Sequence, residues 1–97
     1  MKYKNLTELK EGDYIYYYAD EFCAEDEGVL RVSKVDVENQ TIYGDLVMET
    51  GIVNRAVVCI KDARYEHSES DIALKDKSDF DKLLKEYWAS VEIAKTI

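Results

Sequence analysis

The sequence is poor in the residues that carry covalent and metal chemistry. Two cysteines in 97 residues, Cys23 and Cys59, are too few for a disulfide framework, and no C-x-x-C spacing suggests zinc or redox work. His67 is the one histidine. The start, Met1 to Glu11, is polar and lacks an apolar stretch, so neither a secretory signal nor a membrane anchor is expected. No segment approaches the ~20 apolar residues that a spanning helix requires. Bases are scarce relative to acids, 13 against 21, for a formal charge of −8. That argues against a conventional nucleic-acid binder, which needs clustered Lys and Arg for its phosphate contacts. A single cytoplasmic domain is expected, because a chain this short has little room for a second core.

What is present is acid, unevenly placed. Residues 1–10 carry a net +2, residues 11–51 carry −9 and residues 52–97 carry −1. The acidic half holds eleven carboxylates against Arg31 and Lys34 alone. Within it, Asp20, Glu21, Glu25, Asp26 and Glu27 put five carboxylates into eight positions, read as a loop closed by Gly28. Such a concentration steers cationic partners and repels polyanions, and the plainer reading is a solvated loop that keeps the chain soluble.

Residues 1–12 read as a lead-in with one helical turn, ended by Gly12-Asp13. Residues 13–65 read as a β-barrel. Asp13 to Ala19 is dense in β-formers, and its period of two puts Tyr14, Tyr16 and Tyr18 on one face and Ile15, Tyr17 and Ala19 on the other. The smaller, more apolar set suits a crowded interior, which leaves the tyrosine triad partly exposed. Val29 to Val37 is a second strand with a bulge or bend, since Val29 and Val32 cannot share a face. Thr41 to Met48 is a third strand, bending at Gly44. Ile52 to Ile60 is a fourth, placed centrally by its apolar run, and Ala63 to Tyr65 a short fifth. Residues 66–77 read as a connection.

Residues 78–96 read as an amphipathic helix with Ser78 as N-cap and Asp81 in the capping-box position. Phe80, Leu83, Leu84, Tyr87, Trp88, Val91 and Ala94 form one stripe at the 3.6-residue period. The stripe is expected to be core, so that Trp88→Ala would cost roughly 3–5 kcal/mol. The expected fold is mainly β (α+β): a small, strongly bent antiparallel barrel of four or five strands with one C-terminal helix.

Leu9-Lys-Glu-Gly-Asp-Tyr-Ile15, then Gly28-Val-Leu-Arg-Val-Ser-Lys-Val35, then Asn39-Gln-Thr-Ile-Tyr-Gly44 resembles the KOW-type SH3-like barrels of ribosomal proteins and transcription elongation factors. The resemblance covers residues 9–46 and implies the fold. In that family the loop before the second glycine is rich in Lys and Gly and contacts RNA. Here the corresponding stretch has the opposite sign, so no nucleic-acid contact carries over.

No catalytic constellation is visible. His67 lacks a nucleophile and an orienting partner and reads as an exposed loop residue. Cys59 reads as a small core residue, and the thiolate of Cys23 is disfavoured by its acidic neighbours. The acids do not follow EF-hand spacing, so no metal or cofactor is assigned. The expectation is a non-enzymatic acidic protein that engages a basic protein surface through Asp20, Glu21, Glu25, Asp26, Glu27, Tyr14, Tyr16 and Tyr18. In its sharper form the partner is a nucleic-acid-binding protein, and this chain an inhibitor that mimics nucleic acid. In size and charge alone it resembles phage antidefence proteins of that type. A ligand- or metal-binding accessory domain and a housekeeping homodimer subunit are the alternatives.

Overall fold

The computed structural model describes residues 2–21, 24–48, 51–60 and 72–96, with the side chains of all these but 19–21, 24–26 and 90–96. Among the described residues, strands β1 (Tyr3–Lys4), β2 (Tyr14–Glu21), β3 (Ala24–Asp36), β4 (Thr41–Met48), β5 (Gly51–Cys59) and β6 (Ile72–Lys75) precede one helix, α1 (Lys77–Thr96). The six strands make one open antiparallel sheet in the order β1-β6-β2-β3-β4-β5.

The two faces of this sheet are both used, and the period of two explains which residue goes where. Ile15, Leu30, Ile42 and Ile72 are fully buried on one face, joined by Val32, Leu46, Ala56 and Val58. Leu6 and Leu9 of the lead-in close this cluster. They are held there by a 3-10 turn, Leu6–Glu8, capped at Asn5: its side chain accepts from the Thr7 N–H at 3.1 Å, and its own N–H donates to Glu8 Oε1 at 3.1 Å. Gly12, at φ 93°, then turns the chain into β2. On the opposite face Val29 and Val47 are buried beneath Phe80 of α1, with Tyr14, Leu83 and Leu84 packed around them.

Val29 and Val32 thus belong to different clusters, and regular pairing runs from Gly28 through Val32. The expected bulge falls just after, between Val32 and Lys34. A second irregularity lies between Gly44 and Leu46. There a Cβ on Gly44 would collide with the carbonyl oxygen of Arg31, so the close approach of β3 and β4 requires glycine.

Several expectations need correction. Among the described residues the sheet has six strands rather than four or five and is open. Ile72, Ala73 and Leu74 do not lie in a connection: they form β6, which pairs with β1 and β2 because Ile72 and Ala73 are apolar enough to be buried. β5 lies at the edge of the described sheet, not its centre, with Val53 and Val57 exposed. Residues 20–21 and 24–27 are strand rather than loop, because β2 runs through Glu21 and β3 begins at Ala24. Helix α1 starts one residue earlier than read. Asp76 precedes its first turn, donating its N–H to Asp79 Oδ2 at 3.0 Å, so Ser78 is not the cap.

Among the described side chains, the apolar stripe of α1 is seated at its start. Phe80 is 4% exposed, Leu83, Leu84 and Tyr87 are half-buried, and Trp88 is 53% exposed. Trp88 is therefore not core. The apolar patch of sheet beneath the helix is short, Val29 and Val47 with Ile52 beside them, and Phe80 and its neighbours fill it. The strand expected at Ala63 to Tyr65, together with His67 and Cys23, lies outside the described residues. Cys59 is a free thiol and half-buried rather than core.

Candidate functional site

The five acids singled out from sequence are brought together on one β-hairpin. Cross-strand register pairs Tyr18 with Glu27, Ala19 with Asp26, Asp20 with Glu25 and Glu21 with Ala24. Directly opposed residues share a side of an antiparallel ladder and successive rows alternate. The register therefore groups Asp20, Glu25 and Glu27 with Tyr14, Tyr16 and Tyr18, and leaves Glu21 and Asp26 on the alternate rows. By register, Tyr14, Tyr16, Tyr18, Asp20, Glu25 and Glu27 fall on one side of two paired strands, where a strand and a loop were expected.

Asp20 and Glu25 are a like-charged pair in one row. Such pairs are destabilising on a sheet by some tenths of a kcal/mol up to about 1 kcal/mol. The two bases of the acidic half are used elsewhere, in the body of the sheet. Arg31 Nη2 donates to Asp45 Oδ2 at 2.8 Å and its guanidinium lies 5.1 Å from the centre of the Phe80 ring. Lys34 Nζ lies 5.6 Å from the Tyr43 ring.

The root of the arm is anchored where Tyr14, opposite Arg31 in register, packs on Phe80 with ring centres 5.5 Å apart. The hydrogen bond from Arg31 holds the Asp45 carboxyl below its ordinary range, assisted by the Arg55 backbone N–H at 3.3 Å. The same hydrogen bond raises the Arg31 guanidinium. Arg55 adopts φ 58°, in the left-handed region, and its N–H donates to Asp45 Oδ1. This Arg31–Asp45–Phe80 arrangement is what sequence reading missed. Part of the signal was present, since Arg31 follows Val29 by two residues and so shares its side of β3, but the pairing with Asp45 rests on the cross-strand register.

Of the tyrosines, all three of the triad are half-buried. Tyr14 is covered by Phe80, whereas Tyr16 opens onto a cleft of about 280 Å³ between the sheet and α1. Lys75 Nζ stands 5.8 Å from the Tyr16 ring centre, and Glu27, Asp79, Lys82 and Glu86 line the rest. Glu27 is exposed and continues the acidic surface of the arm into this cleft. Among the described residues no group of three or more His, Cys, Asp and Glu is arranged to hold a metal ion, and no helix is long and apolar enough to cross a membrane. Comparison with protein-family models, with curated proteins and with solved structures finds no match to this chain.

Proposed function

We propose that this is a non-enzymatic binding protein whose acidic hairpin engages a basic protein surface. The observation that carries the reading is the β2–β3 register, which opposes Asp20 to Glu25 and packs five carboxylates into four paired rows. Four rows at ~3.3 Å each span about 13 Å, or one charge every ~2.6 Å along the arm when both of its faces are counted. Duplex DNA presents one charge per ~1.7 Å of axis. The arm approaches that density, which supports the sharper form of the proposal: an inhibitor that occupies the phosphate-binding groove of a nucleic-acid-binding protein. A like-charged row that weakens the free hairpin gains favourable energy once a cationic surface covers it.

The finer fold reading, a partly open SH3-like barrel related to the KOW type, belongs to the same proposal. The meander β2–β5 with β6 returned beside β2, and the bulge after Val32, support it. A cytoplasmic setting is proposed with it, supported by the free thiol of Cys59. A second reading, small-molecule binding in the cleft at Tyr16, has the cleft itself in its favour. At about 280 Å³ and lined mainly by charged side chains, it lies below the usual size and apolarity of ligand pockets and ranks behind.

Affinity capture from the native host tests the proposal. Wild type should retain a basic protein that short duplex DNA displaces. A variant with Asp20→Asn, Glu21→Gln, Glu25→Gln, Asp26→Asn and Glu27→Gln should lose it, while Glu11→Gln with Glu38→Gln should keep it. Retention of the same partner by the five-site variant would refute the electrostatic reading.

A further inference from the structure

The cleft beside the arm has room for one long side chain. At about 280 Å³ it falls short of the ~300–1,000 Å³ of small-molecule sites, and Glu27 belongs both to it and to the acidic arm. Its walls come from two elements. On the sheet, Tyr16 pairs with Val29 and Tyr18 with Glu27, so Glu27 is the diagonal neighbour of Tyr16 on the side that faces α1. On α1, Asp79, Lys82, Leu83 and Glu86 recur at spacings of three and four, and present one side of the helix to the same space.

Glu27, Asp79 and Glu86 against Lys75 and Lys82 leave this lining with a surplus of one acid. Asp79 is engaged, since its Oδ2 accepts from the Asp76 N–H at 3.0 Å. Among the described residues, neither Glu27 nor Glu86 is in an ion pair. The Tyr16 ring has a cation beside it: Lys75, its diagonal neighbour on β6, places Nζ 5.8 Å from the ring centre, within the ~6 Å over which a ring attracts a cation. A guanidinium suits such a place better than an ammonium. It is planar, stacks on an aromatic ring, and offers a fork of donors to carboxylates, here one on each wall.

We infer that this cleft receives one arginine side chain of the basic partner, with its guanidinium against the Tyr16 ring and between Glu27 and Glu86. The inference rests on the proposed function and adds the point at which the complex is fixed. The arm attracts a cationic surface at long range, and one side chain seated in a pocket sets the register. Lys75 then competes with the incoming arginine for the ring.

NMR titration of the full chain with N-acetyl-arginine-N-methylamide reads the site directly. Amides of Tyr16, Gly28 and Leu83 should shift and saturate, with a dissociation constant of about 1–10 mM. The citrulline analogue, neutral and of the same shape, should shift none of them. Tyr16→Leu should weaken binding about fivefold, and Glu86→Gln about two- to threefold. Glu86 is exposed, so its variant reads the site without disturbing the packing. Lys75→Met should tighten binding about twofold, whereas Lys10→Met, the same charge change away from the cleft, should not. Equal binding of the citrulline analogue, or no saturating shift at these amides up to about 50 mM, would overturn the inference. This titration needs no partner protein, so it decides the cleft separately from the arm. With the captured partner, loss of binding in the five-site variant but not in Tyr16→Leu or Glu86→Gln would leave the arm standing and overturn the seated arginine.

Discussion

Gly44 and Arg31 mark the tightest contact between strands. Because a Cβ at Gly44 would meet the backbone oxygen of Arg31 and not the end of a flexible side chain, Gly44→Ala should cost roughly 1–3 kcal/mol, measurable by chemical denaturation. The Arg31–Asp45 ion pair beside it is worth less, because Arg31 is half exposed and Asp45 about a third. Asp45→Asn should lower stability by no more than about 1 kcal/mol at neutral pH. The sign of its pH dependence follows from the depressed folded-state carboxyl. The contribution is fully present above the ordinary Asp value of ~3.9 and is lost as pH falls through the lower folded value. The gap between wild type and Asp45→Asn should therefore be flat from pH 7 to about 5 and close below about 4. From the sequence, Ile15 against Tyr14 was legible, because size and polarity alone decide which face is interior. The Arg31–Asp45 pair was not, since it depends on a cross-strand register that no local pattern prints.

At the scale of elements, α1 separates what periodicity can tell from what it cannot. The 3.6-residue spacing identified the helix and the side on which Phe80, Leu83 and Leu84 lie. It could not say how far the sheet extends beneath the helix, and so it placed Trp88 inside. Phe80 is 4% exposed and Trp88 is 53% exposed, which reverses the expected ranking of their truncations. Phe80→Ala should cost roughly 3–5 kcal/mol, and Trp88→Ala no more than about 1 kcal/mol, by thermal or chemical melts of the two variants. β6 escaped notice for a related reason. Four residues, Ile72–Lys75, are too few to show a period, and only pairing with β1 and β2 makes them a strand. The hairpin arm was hidden by composition. Carboxylates have low strand propensity, yet β2 carries its pairing outward from the tyrosine rows into the acidic ones. That continuation predicts a local effect. Asp20→Asn with Glu25→Gln relieves the like-charged row, and should slow amide hydrogen exchange in residues 18–27.

For the whole molecule, the −9 of residues 11–51 was legible from composition, and the structure concentrates it. Two of the bases in that half are committed to Asp45 and Tyr43 in the body, and the five clustered acids share one hairpin. The described residues thus divide between a packed sheet, whose two faces are covered by the lead-in and by the first turns of α1, and an acidic arm that extends the β2–β3 pair. The arm carries the proposed function, in which binding is electrostatic. The most direct test is the affinity of the captured basic partner for wild type and for the five-site neutralised variant, measured at the same ionic strength of about 0.15 M. The account predicts a loss of at least about tenfold, with binding of the wild type weakening as salt is raised and that of the variant changing little. Equal affinities for the two proteins would contradict it.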